Sequence, residues 1–303
     1  MRLRHSVLLA VIAASALSLA GQSLRLAALA QDGSRDARPI SVMTFNIRYA
    51  TDRDAENRWT ARRQMLIDLL RKQNPDLIGV QEALDQQLSD IVRALPGYTV
   101  AGVGRDDGRA AGEYSAILFK SSRFRVAQAG TFWLSETPEA VASRTWGNRI
   151  PRICSWARLI DQGGQALWMY NVHLDHESQP SREQSVQLLL QRIRRRSGRD
   201  EPVIVTGDFN VGEGNPALEP LLARAAGAPP FIDTFRALHP DNKEVGTYTA
   251  FEFGRTKGDK IDYVLVEPGT EILRAEILRF SRNRRYPSDH FPVAATIRIR
   301  GAS

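Results

Sequence analysis

Cysteine is nearly absent from this chain of 303 residues, which contains only Cys154. A lone cysteine cannot form an internal disulfide, so stability must come from a hydrophobic core. The composition, 43% hydrophobic, is sufficient to build such a core. Because Cys154 stands next to Ile153 and close to Trp156, we expect a buried and unreactive thiol, whose pKa an apolar environment would raise.

Long apolar runs are also missing, except near the start of the chain. There, Arg2 and Arg4 precede a mostly aliphatic stretch, Ser6–Ala20, and small residues follow at Ala28–Ala30. This pattern predicts a secretory signal peptide over residues 1–30, cleaved near Ala30. The alternative is an uncleaved anchor, but the apolar run of about 15 residues is short for a membrane span of roughly 20.

The division of the chain follows from these signals. A polar linker is predicted over residues 31–38, followed by one domain over residues 39–303, since no long linker interrupts the later pattern. We expect the mature protein to be secreted or periplasmic and to have no membrane span.

A strong excess of one charge is lacking as well. The formal net charge of +7 falls to +4 without residues 1–30, which is weak for a dedicated nucleic-acid binder. The basic run Arg192–Arg196 is interpreted as a solvated helix end that favours cations, since it has no interleaved aromatics for base stacking; a nucleic-acid patch is the alternative. The arginine surplus suits phosphate contacts, although genome composition explains it equally well.

What the sequence does contain is an alternation of strand and helix patterns. Helices are predicted at Trp59–Arg71, Asp85–Leu95 and Ser181–Arg196, the last with a capping box of Ser181 and Gln184. Strands are predicted at Ile40–Ile47, Asp76–Val80, Tyr98–Val103, Ser115–Phe119, Arg125–Ala129, Trp156–Ile160, Ala166–Val172, Val203–Gly207, Ile261–Val266, Glu271–Phe280 and Val293–Arg300. The order predicts an α/β domain of two similar halves, with sheets inside and helices outside.

Polar side chains follow the apolar strands in four separated segments. These segments are MTFNIR at Met43–Arg48, IGVQE at Ile78–Glu82, VTGDFN at Val205–Asn210 and SDHFPV at Ser288–Val293. Ligands in α/β proteins gather beyond strand ends, so these segments are expected to meet in one pocket. The pocket would hold Asn46, Glu82, Asp208, Asn210, Asp289 and His290. Such oxygen-rich sets suit Mg²⁺, Mn²⁺ or Ca²⁺, and a hard cation beside His and Asp indicates phosphate-ester chemistry.

Three further features support chemistry at this pocket. Asp208 and Asn210, two residues apart after Gly207, are suited to hold one water or one phosphate oxygen. Asp262 begins an apolar strand, where a carboxylate needs a partner, and His290 or His173 would serve. Strand alternation places His173 on the same face as Asn171. We interpret His173 as a phosphate contact; a zinc site formed by His173 and His176 is the weaker alternative.

Taken together, these motifs resemble the endonuclease/exonuclease/phosphatase superfamily over about residues 41–299. The resemblance implies a four-layer α/β sandwich (α/β or α+β) with two central mixed sheets, and Mg²⁺-dependent hydrolysis of a phosphate ester. It implies Glu82 as the main metal ligand, with Asn46 assisting and Asp289 contributing. It also implies that Asp208 activates water and that Asn210 holds the phosphate.

The remaining roles follow from the same resemblance. His290 is implied to stabilise the transition state or act as an acid, Asp262 to orient a catalytic His, and His173 to contact the phosphate. Several nuclease branches carry an acid two positions after the Asn, where this chain has Arg48, so a second metal there is doubtful and Arg48 is a candidate anion contact. Further candidate substrate contacts are Arg149, Arg152, Trp146 and Tyr114. Trp146 could equally be a packed loop residue.

The sequence thus predicts an exported, metal-dependent hydrolase of phosphate esters, in the first place a phosphodiesterase. The weak charge favours a small or lipid-linked phosphoester over nucleic acid as the substrate. A secreted non-specific nuclease and a non-catalytic module that binds phospho-ligands are the alternatives. No stable protein partner is implied.

Overall fold

The computed structural model of the protein describes residues 38–222 and 230–299. The predicted signal peptide and the linker up to residue 37 lie outside the described residues, as do residues 300–303. No helix within the described ranges combines the length and the apolarity that a membrane crossing requires.

Two six-stranded sheets form the centre of the described structure. Their strands are β1 (Ile40–Asn46), β2 (Leu77–Ala83), β3 (Tyr98–Ala101), β4 (Tyr114–Lys120), β5 (Phe124–Trp133), β6 (Ile153–Asp161), β7 (Ala166–His173), β8 (Val203–Asp208), β9 (Ile232–Asp233), β10 (Asp262–Val266), β11 (Glu271–Ile277) and β12 (Val293–Arg298). Sheet 1 has the order β11-β12-β1-β2-β4-β3, and sheet 2 has the order β5-β6-β7-β8-β10-β9. Both are mixed, since β1–β2 and β7–β8 are parallel and the other pairs are antiparallel.

Helices cover the outer faces of the two sheets. The described α-helices are α1 (Trp59–Gln73), α2 (Asp85–Ala94), α3 (Gln179–Arg195), α4 (Glu219–Leu222) and α5 (Thr234–Leu238), with 3₁₀ turns at Asp52–Asn57 and Pro216–Leu218. One apolar cluster joins α1 and α2 to sheet 1, another joins α3 to sheet 2, and a third lies between the sheets. The predicted four-layer sandwich is therefore confirmed.

Side-chain alternation decides what each strand presents to the space between the sheets. In β1, Val42 belongs to the cluster between the sheets, whereas Met43 and Phe45 pack against the helices. A period of two then places Asn46, the last residue of β1, on the inner side. The same alternation places His173, the last residue of β7, and Asp208, the last residue of β8, on the inner side of sheet 2.

The structure corrects the predicted start of α3. The helix begins at Gln179 rather than Ser181, and its cap is Ser178, whose hydroxyl accepts a hydrogen bond from Ser181 N at 3.2 Å. The capping box of Ser181 and Gln184 is therefore wrong. The reason is that Pro180 is tolerated in the first turn, where the missing N–H would have no partner within the helix.

Several strand boundaries also differ from the prediction. β5 and β6 extend well beyond Arg125–Ala129 and Trp156–Ile160, because the two strands pair along their whole length. β11 ends at Ile277 instead of Phe280, and β9 was missed, since a strand of two residues has no readable period. The prediction for Cys154 is confirmed: the thiol is free and buried, and burial raises its pKa.

Candidate functional site

Three neighbouring strands of sheet 2 bring their terminal polar residues side by side. Asp208 at the end of β8 pairs in register with His173 at the end of β7 and with Asp262 at the start of β10. All three side chains are buried. The parallel pairing of β7 with β8 and the antiparallel pairing of β8 with β10 therefore assemble a His–Asp–Asp row at one edge of the sheet.

A bulge in β2 adds Glu82 from sheet 1. Simple alternation would turn Glu82 to the helix side, but the β2–β4 register shifts between Val80 and Ala83, and Glu82 has a φ of 59°. A bulge changes the direction in which a side chain points. Glu82 as a result reaches Asn46, whose Nδ2 donates to Glu82 Oε1 at 2.9 Å.

Asn46 joins the two halves of the site. Its Nδ2 also donates to Asp208 Oδ2 at 2.9 Å, so one amide holds a carboxylate from each sheet. Its Oδ1 accepts from Arg48 N at 2.9 Å. The amide nitrogen thus faces the carboxylates, and the predicted role of Asn46 as a metal ligand stays a prediction.

His290 and Asp262 form a buried hydrogen-bonded pair. His290 Nδ1 donates to Asp262 Oδ2 at 2.9 Å. Burial alone would lower the pKa of His290, but the negative charges of Asp262 and Asp208 raise it well above the usual value. This arrangement favours a positively charged imidazole, and it provides the partner that the sequence analysis expected for Asp262.

Two loops fix the segment that carries His290. Ser288 Oγ donates to the carbonyl oxygen of Asn46 at 2.7 Å, which ties this segment to the end of β1. Thr249 donates twice to the carbonyl oxygen of Asp289, from its amide at 2.6 Å and its hydroxyl at 2.9 Å. The position of His290 is therefore set by backbone contacts from two distant parts of the chain.

Asp208 lies at the centre of the polar groups. Its Oδ2 is 3.6 Å from His173 Nε2 and 3.8 Å from His290 Nε2. Burial, together with the nearby charge of Asp262, raises the pKa of Asp208 to about 7. A carboxylate with such a pKa can accept a proton near neutral pH, as a general base must.

His173 differs electrostatically from His290. Burial and the positive charges of Arg152 and Arg105 lower the pKa of His173 well below its usual value. A neutral imidazole can donate one N–H to a phosphate oxygen without adding a charge. The two histidines on either side of Asp208 are therefore suited to different tasks.

Asn210 follows Asp208 in a left-handed conformation, with a φ of 54°. Its backbone N donates to Asp208 Oδ1 at 2.9 Å, and its Nδ2 donates to the carbonyl oxygen of Leu174 at 3.0 Å. The structure thus shows Asn210 bracing Asp208, and the predicted contact of Asn210 with phosphate is not tested.

Arg48 lies beside the carboxylates of Glu82 and Asp289. Its guanidinium nitrogens are 3.8 Å from Glu82 Oε2 and 3.9 Å from Asp289 Oδ2, and it pairs at 2.8 Å with Asp54. Burial and the charge of Glu82 raise the pKa of Asp289. A pair of carboxylates in which the charge of Glu82 disfavours ionisation of Asp289 creates a position where a cation is stabilised.

The donor set at this position fits a divalent cation. The carboxylates of Glu82 and Asp289 are hard oxygen ligands, and a guanidinium already lies next to both. Asp208, Asp262 and His290 form a second compact group, with ligand atoms within 4.8 Å of one another. In that group the imidazole Nδ1 is already hydrogen-bonded to Asp262, and the predicted binding of a cation by Glu82 and Asp289 stays a prediction.

The predicted substrate contacts divide into buried and exposed residues. Arg152 is buried, and its guanidinium pairs with Asp175 at 3.3 Å. Tyr114 is buried too, with its hydroxyl donating to the carbonyl oxygen of Arg109 at 2.8 Å, yet it lines a small cavity together with His173 and Arg152. Arg149 is exposed and pairs with Glu177.

Trp146 lies in the loop beside Arg149. It is half-buried, has a φ of 58°, and its carbonyl oxygen accepts from Ser178 Oγ at 2.6 Å. The loop is thus anchored to the cap of α3. Whether the indole stacks on a substrate ring is not tested by these contacts.

Sequence reasoning missed two residues next to the site. The Tyr248 ring lies 5.2 Å from the ring of His290 and is 41% exposed. Arg62, buried in α1, donates to the carbonyl oxygens of Ile47 and Pro287 and so holds the loops that carry Arg48 and Ser288. No periodicity marks Tyr248, but a lone arginine within the apolar stripe of α1 was a readable sign for Arg62.

Comparison with known proteins places these observations in context. A model described as the endonuclease/exonuclease/phosphatase family matches residues 43–290. An uncharacterized protein of Acanthamoeba polyphaga mimivirus is 28% identical over 190 residues, covering 57% of this chain and 68% of that protein.

Solved structures resemble the whole described fold. A mannosyl-6-phosphatase of Bacteroides thetaiotaomicron is 32% identical with a TM-score of 0.77, covering 86% of this chain and 100% of its own. An endonuclease/exonuclease/phosphatase family protein from the same organism is 30% identical with a TM-score of 0.78, covering 86% of this chain and 98% of its own.

Proposed function

Since this chain belongs to the endonuclease/exonuclease/phosphatase family, we propose that it is a metal-dependent hydrolase of phosphate esters. The observation that carries the proposal is the junction at Asn46, which holds Glu82 and Asp208 at 2.9 Å each beside the His290–Asp262 pair. The carboxylate proposed to bind the cation, the candidate base and the charged imidazole thus lie in one group, which supports the proposal.

Water attacks phosphorus, the P–O bond to the ester oxygen breaks, and the departing oxygen takes up a proton in place of the one that water loses; the residues divide this work. Asp208, with its pKa near 7, accepts the proton of the attacking water. His290, kept positive by Asp262, stabilises the phosphate oxygens as they gain charge, and neutral His173 donates to one of them. A divalent cation held by Glu82 and Asp289, in the first place Mg²⁺, would neutralise phosphate charge.

The substrate we propose is a small or lipid-linked phosphoester rather than nucleic acid. The weak net charge without residues 1–30 supports this choice. A diester is our first expectation from the sequence. The likeness to a protein named mannosyl-6-phosphatase favours a sugar phosphate monoester as the second candidate.

We also propose that the protein is exported, because residues 1–30 carry the pattern of a secretory signal. Fractionation of cells that express the full chain, with N-terminal sequencing of the product, tests this directly. Retention of Met1 on a cytoplasmic protein would contradict it.

The catalytic proposal is tested with bis-p-nitrophenyl phosphate, p-nitrophenyl phosphate and mannose 6-phosphate, each with Mg²⁺ or with EDTA. We expect Glu82→Gln, Asp208→Asn and His290→Ala to lower turnover by about 100-fold or more, with EDTA having a similar effect on the unmodified protein. Asp241→Asn, on the surface and away from the site, is the control.

The outcomes distinguish the alternatives. Turnover that survives EDTA and all three variants would overturn the mechanism. Faster cleavage of plasmid DNA than of any small ester would favour a nuclease, and binding of phosphate without turnover across the panel would favour a non-catalytic module.

A further inference from the structure

A second cavity lies away from the catalytic group, on the outer face of sheet 2. It has a volume of about 460 Å³, within the range of small-molecule sites. Trp168 and Tyr170 line it from β7, and these residues point opposite to His173, which ends the same strand on the inner side. The cavity is thus separated from the catalytic group by the thickness of the sheet.

The floor of this cavity is aromatic. The rings of Trp156 and Trp168 are 5.5 Å apart, and Trp168 stacks on Tyr170 at 6.3 Å. Trp156 crosses β5 at Gly130, where a Cβ atom would come within 2.8 Å of the indole. Glycine at this position therefore permits the indole to lie close against the strand.

The wall of the cavity is basic and comes from the end of α3. Arg192, Arg195 and Arg196 line it, against a single carboxylate from Glu139. Arg192 pairs with Glu139 at 2.5 Å, whereas Arg195 makes no ion pair with any described residue. The Arg196 side chain is almost fully buried, and its guanidinium pairs with Glu267 at 3.3 Å and donates to backbone carbonyl oxygens, while its Nε has no hydrogen-bond partner in the described structure. Arg195 is therefore the arginine of the wall that is left to pair with a ligand.

The fold thus supplies the aromatic neighbours that the arginine run lacks in sequence. The residues between Arg192 and Arg196 include no aromatic, but sheet 2 places the rings of Trp156, Trp168 and Tyr170 beneath them, together with the buried ring of Phe132. We propose that this cavity binds an acidic saccharide, with a sugar ring on Trp156 and its carboxylate or sulfate group on the arginines.

Two features favour a saccharide over a nucleic acid. Trp168 and Tyr170 are only 3% and 2% exposed, so of these three rings only that of Trp156 is accessible for stacking. A nucleic acid is disfavoured because its successive bases stack on several accessible aromatic side chains. Glu139 provides an acceptor for the hydroxyls of a sugar ring, which a stacked base does not offer.

Calorimetric titration and tryptophan fluorescence test the proposal, with digalacturonate and a sulfated heparin disaccharide as the probes. We expect Arg195→Ala and Trp156→Ala each to weaken binding by about tenfold or more. Arg194→Ala is the matched control, because Arg194 is an exposed neighbour on the same helix end and does not line the cavity. Neither readout depends on hydrolysis, so the result stands apart from the catalytic proposal.

Three results would overturn the assignment. The first is equal loss of affinity in Arg194→Ala and Arg195→Ala, which would indicate general charge attraction. The second is tighter binding of a short oligothymidylate than of either saccharide. The third is no binding of either saccharide to the unmodified protein at millimolar concentration. If Trp156→Ala fails to fold, Arg195→Ala alone still tests the site.

Discussion

Asp208 is the residue on which the other groups of the site converge. Asn46 donates to it, and the imidazoles of His173 and His290 lie within 4 Å on either side. Its environment contains one further carboxylate, Asp262, whose charge opposes ionisation of Asp208 and favours ionisation of His290. One buried acid thus raises the pKa of both neighbours, which favours a neutral carboxyl at Asp208 and a positively charged imidazole at His290.

Replacing Asp262 with Asn tests this arrangement. The amide keeps the size of the side chain but removes the charge that keeps His290 positive, so we expect kcat for bis-p-nitrophenyl phosphate to fall by about 100-fold or more. Asp241→Asn is the charge-matched control, and thermal unfolding of both variants checks that the fold is kept. An Asp262→Asn enzyme within about twofold of the unmodified protein would refute the role of the pair.

Arg149 and Arg152 allow a second test at this scale, because they lie three positions apart in very different surroundings. Arg152 is paired with Asp175, which is 2% exposed, whereas Arg149 is a surface residue. We expect Arg152→Ala to lower the free energy of unfolding by about 3–5 kcal/mol, since it leaves a buried charge unpaired. Arg149→Ala should change it by less than about 1 kcal/mol. Urea unfolding measures both, and equal losses would contradict the assignment.

At the scale of secondary-structure elements, a polar layer joins the two sheets directly beneath the site. Gln81 Nε2 donates to Asn171 Oδ1 at 2.7 Å, and Thr206 Oγ1 donates to the same oxygen at 2.9 Å. Asn171 Nδ2 in turn donates to the carbonyl oxygen of Val80 in sheet 1. Gly79 lies against this layer, where only a residue without Cβ leaves room.

Gly79→Ala should therefore be destabilising. Its Cβ would lie 2.2 Å from Thr206 Oγ1 and 2.4 Å from Asn171 Oδ1, so the sheets must shift, at a cost of about 1–3 kcal/mol. Gly97→Ala is the matched control, because no atom lies within 4 Å of the added Cβ there. Urea unfolding of the two variants compares them, and similar midpoints would contradict the close approach of the sheets.

Asp76 gives an element-scale prediction about pH. Burial raises the pKa of this carboxyl, but the hydrogen bonds from Ser41 and the charges of Arg123 and Lys120 outweigh burial and lower the pKa. A carboxyl with a lowered pKa stabilises the fold above its unfolded pKa near 4, and this stabilisation disappears as the pH falls through the folded value.

We therefore expect Asp76→Asn to be less stable than the unmodified protein by about 1–3 kcal/mol at pH 6. The difference should shrink as the pH falls below about 4, because the unmodified carboxyl is then protonated as well. Urea midpoints measured across this range provide the check. A difference that does not change with pH would mean that the charge of Asp76 contributes nothing.

At the scale of the whole molecule, the site exists only where the two sheets meet. Glu82 and Asp289 come from segments of sheet 1 and its loops, Asp208 and His173 come from sheet 2, and Asn46 links them. A cation held by Glu82 and Asp289 would stabilise the folded protein, since a ligand of the folded state stabilises that state.

Divalent-cation binding should therefore be visible without any substrate. At a free Mg²⁺ concentration about 100 times its dissociation constant, we expect about 2.7 kcal/mol of added stability, seen as a rise in Tm of several degrees. Glu82→Gln should lose most of this rise, whereas Asp241→Asn should keep it. An equal rise in Glu82→Gln would mean that the cation binds elsewhere.

Much of this architecture was predictable from local pattern. Alternating apolar residues marked most strands of both sheets, and the acid and histidine of SDHFPV stood out because strand ends collect ligands. The four-layer sandwich came from the resemblance to the family, since periodicity alone cannot say how two sheets pack.

The rest depends on contacts that no single segment encodes. The bulge that redirects Glu82 appears only as a shift of register against β4. The contact of Tyr248 with His290 joins residues far apart in sequence. The sequence predicts Ser181 as the cap of α3 because Ser181 and Gln184 match the capping-box motif, whereas the structure has Ser178. Tertiary pairing, rather than propensity, decided each of these features.

The pairing of β1 with β12 joins the first and last described strands, with Thr44 opposite Val293. Asn46 and His290 lie just beyond that pairing, so a nascent polypeptide cannot assemble the site until the segment that carries His290 has left the ribosome. Contacts spanning such a sequence distance also form slowly. Fragments that lack either the segment with Asn46 or the segment with His290 would accordingly lack part of the site.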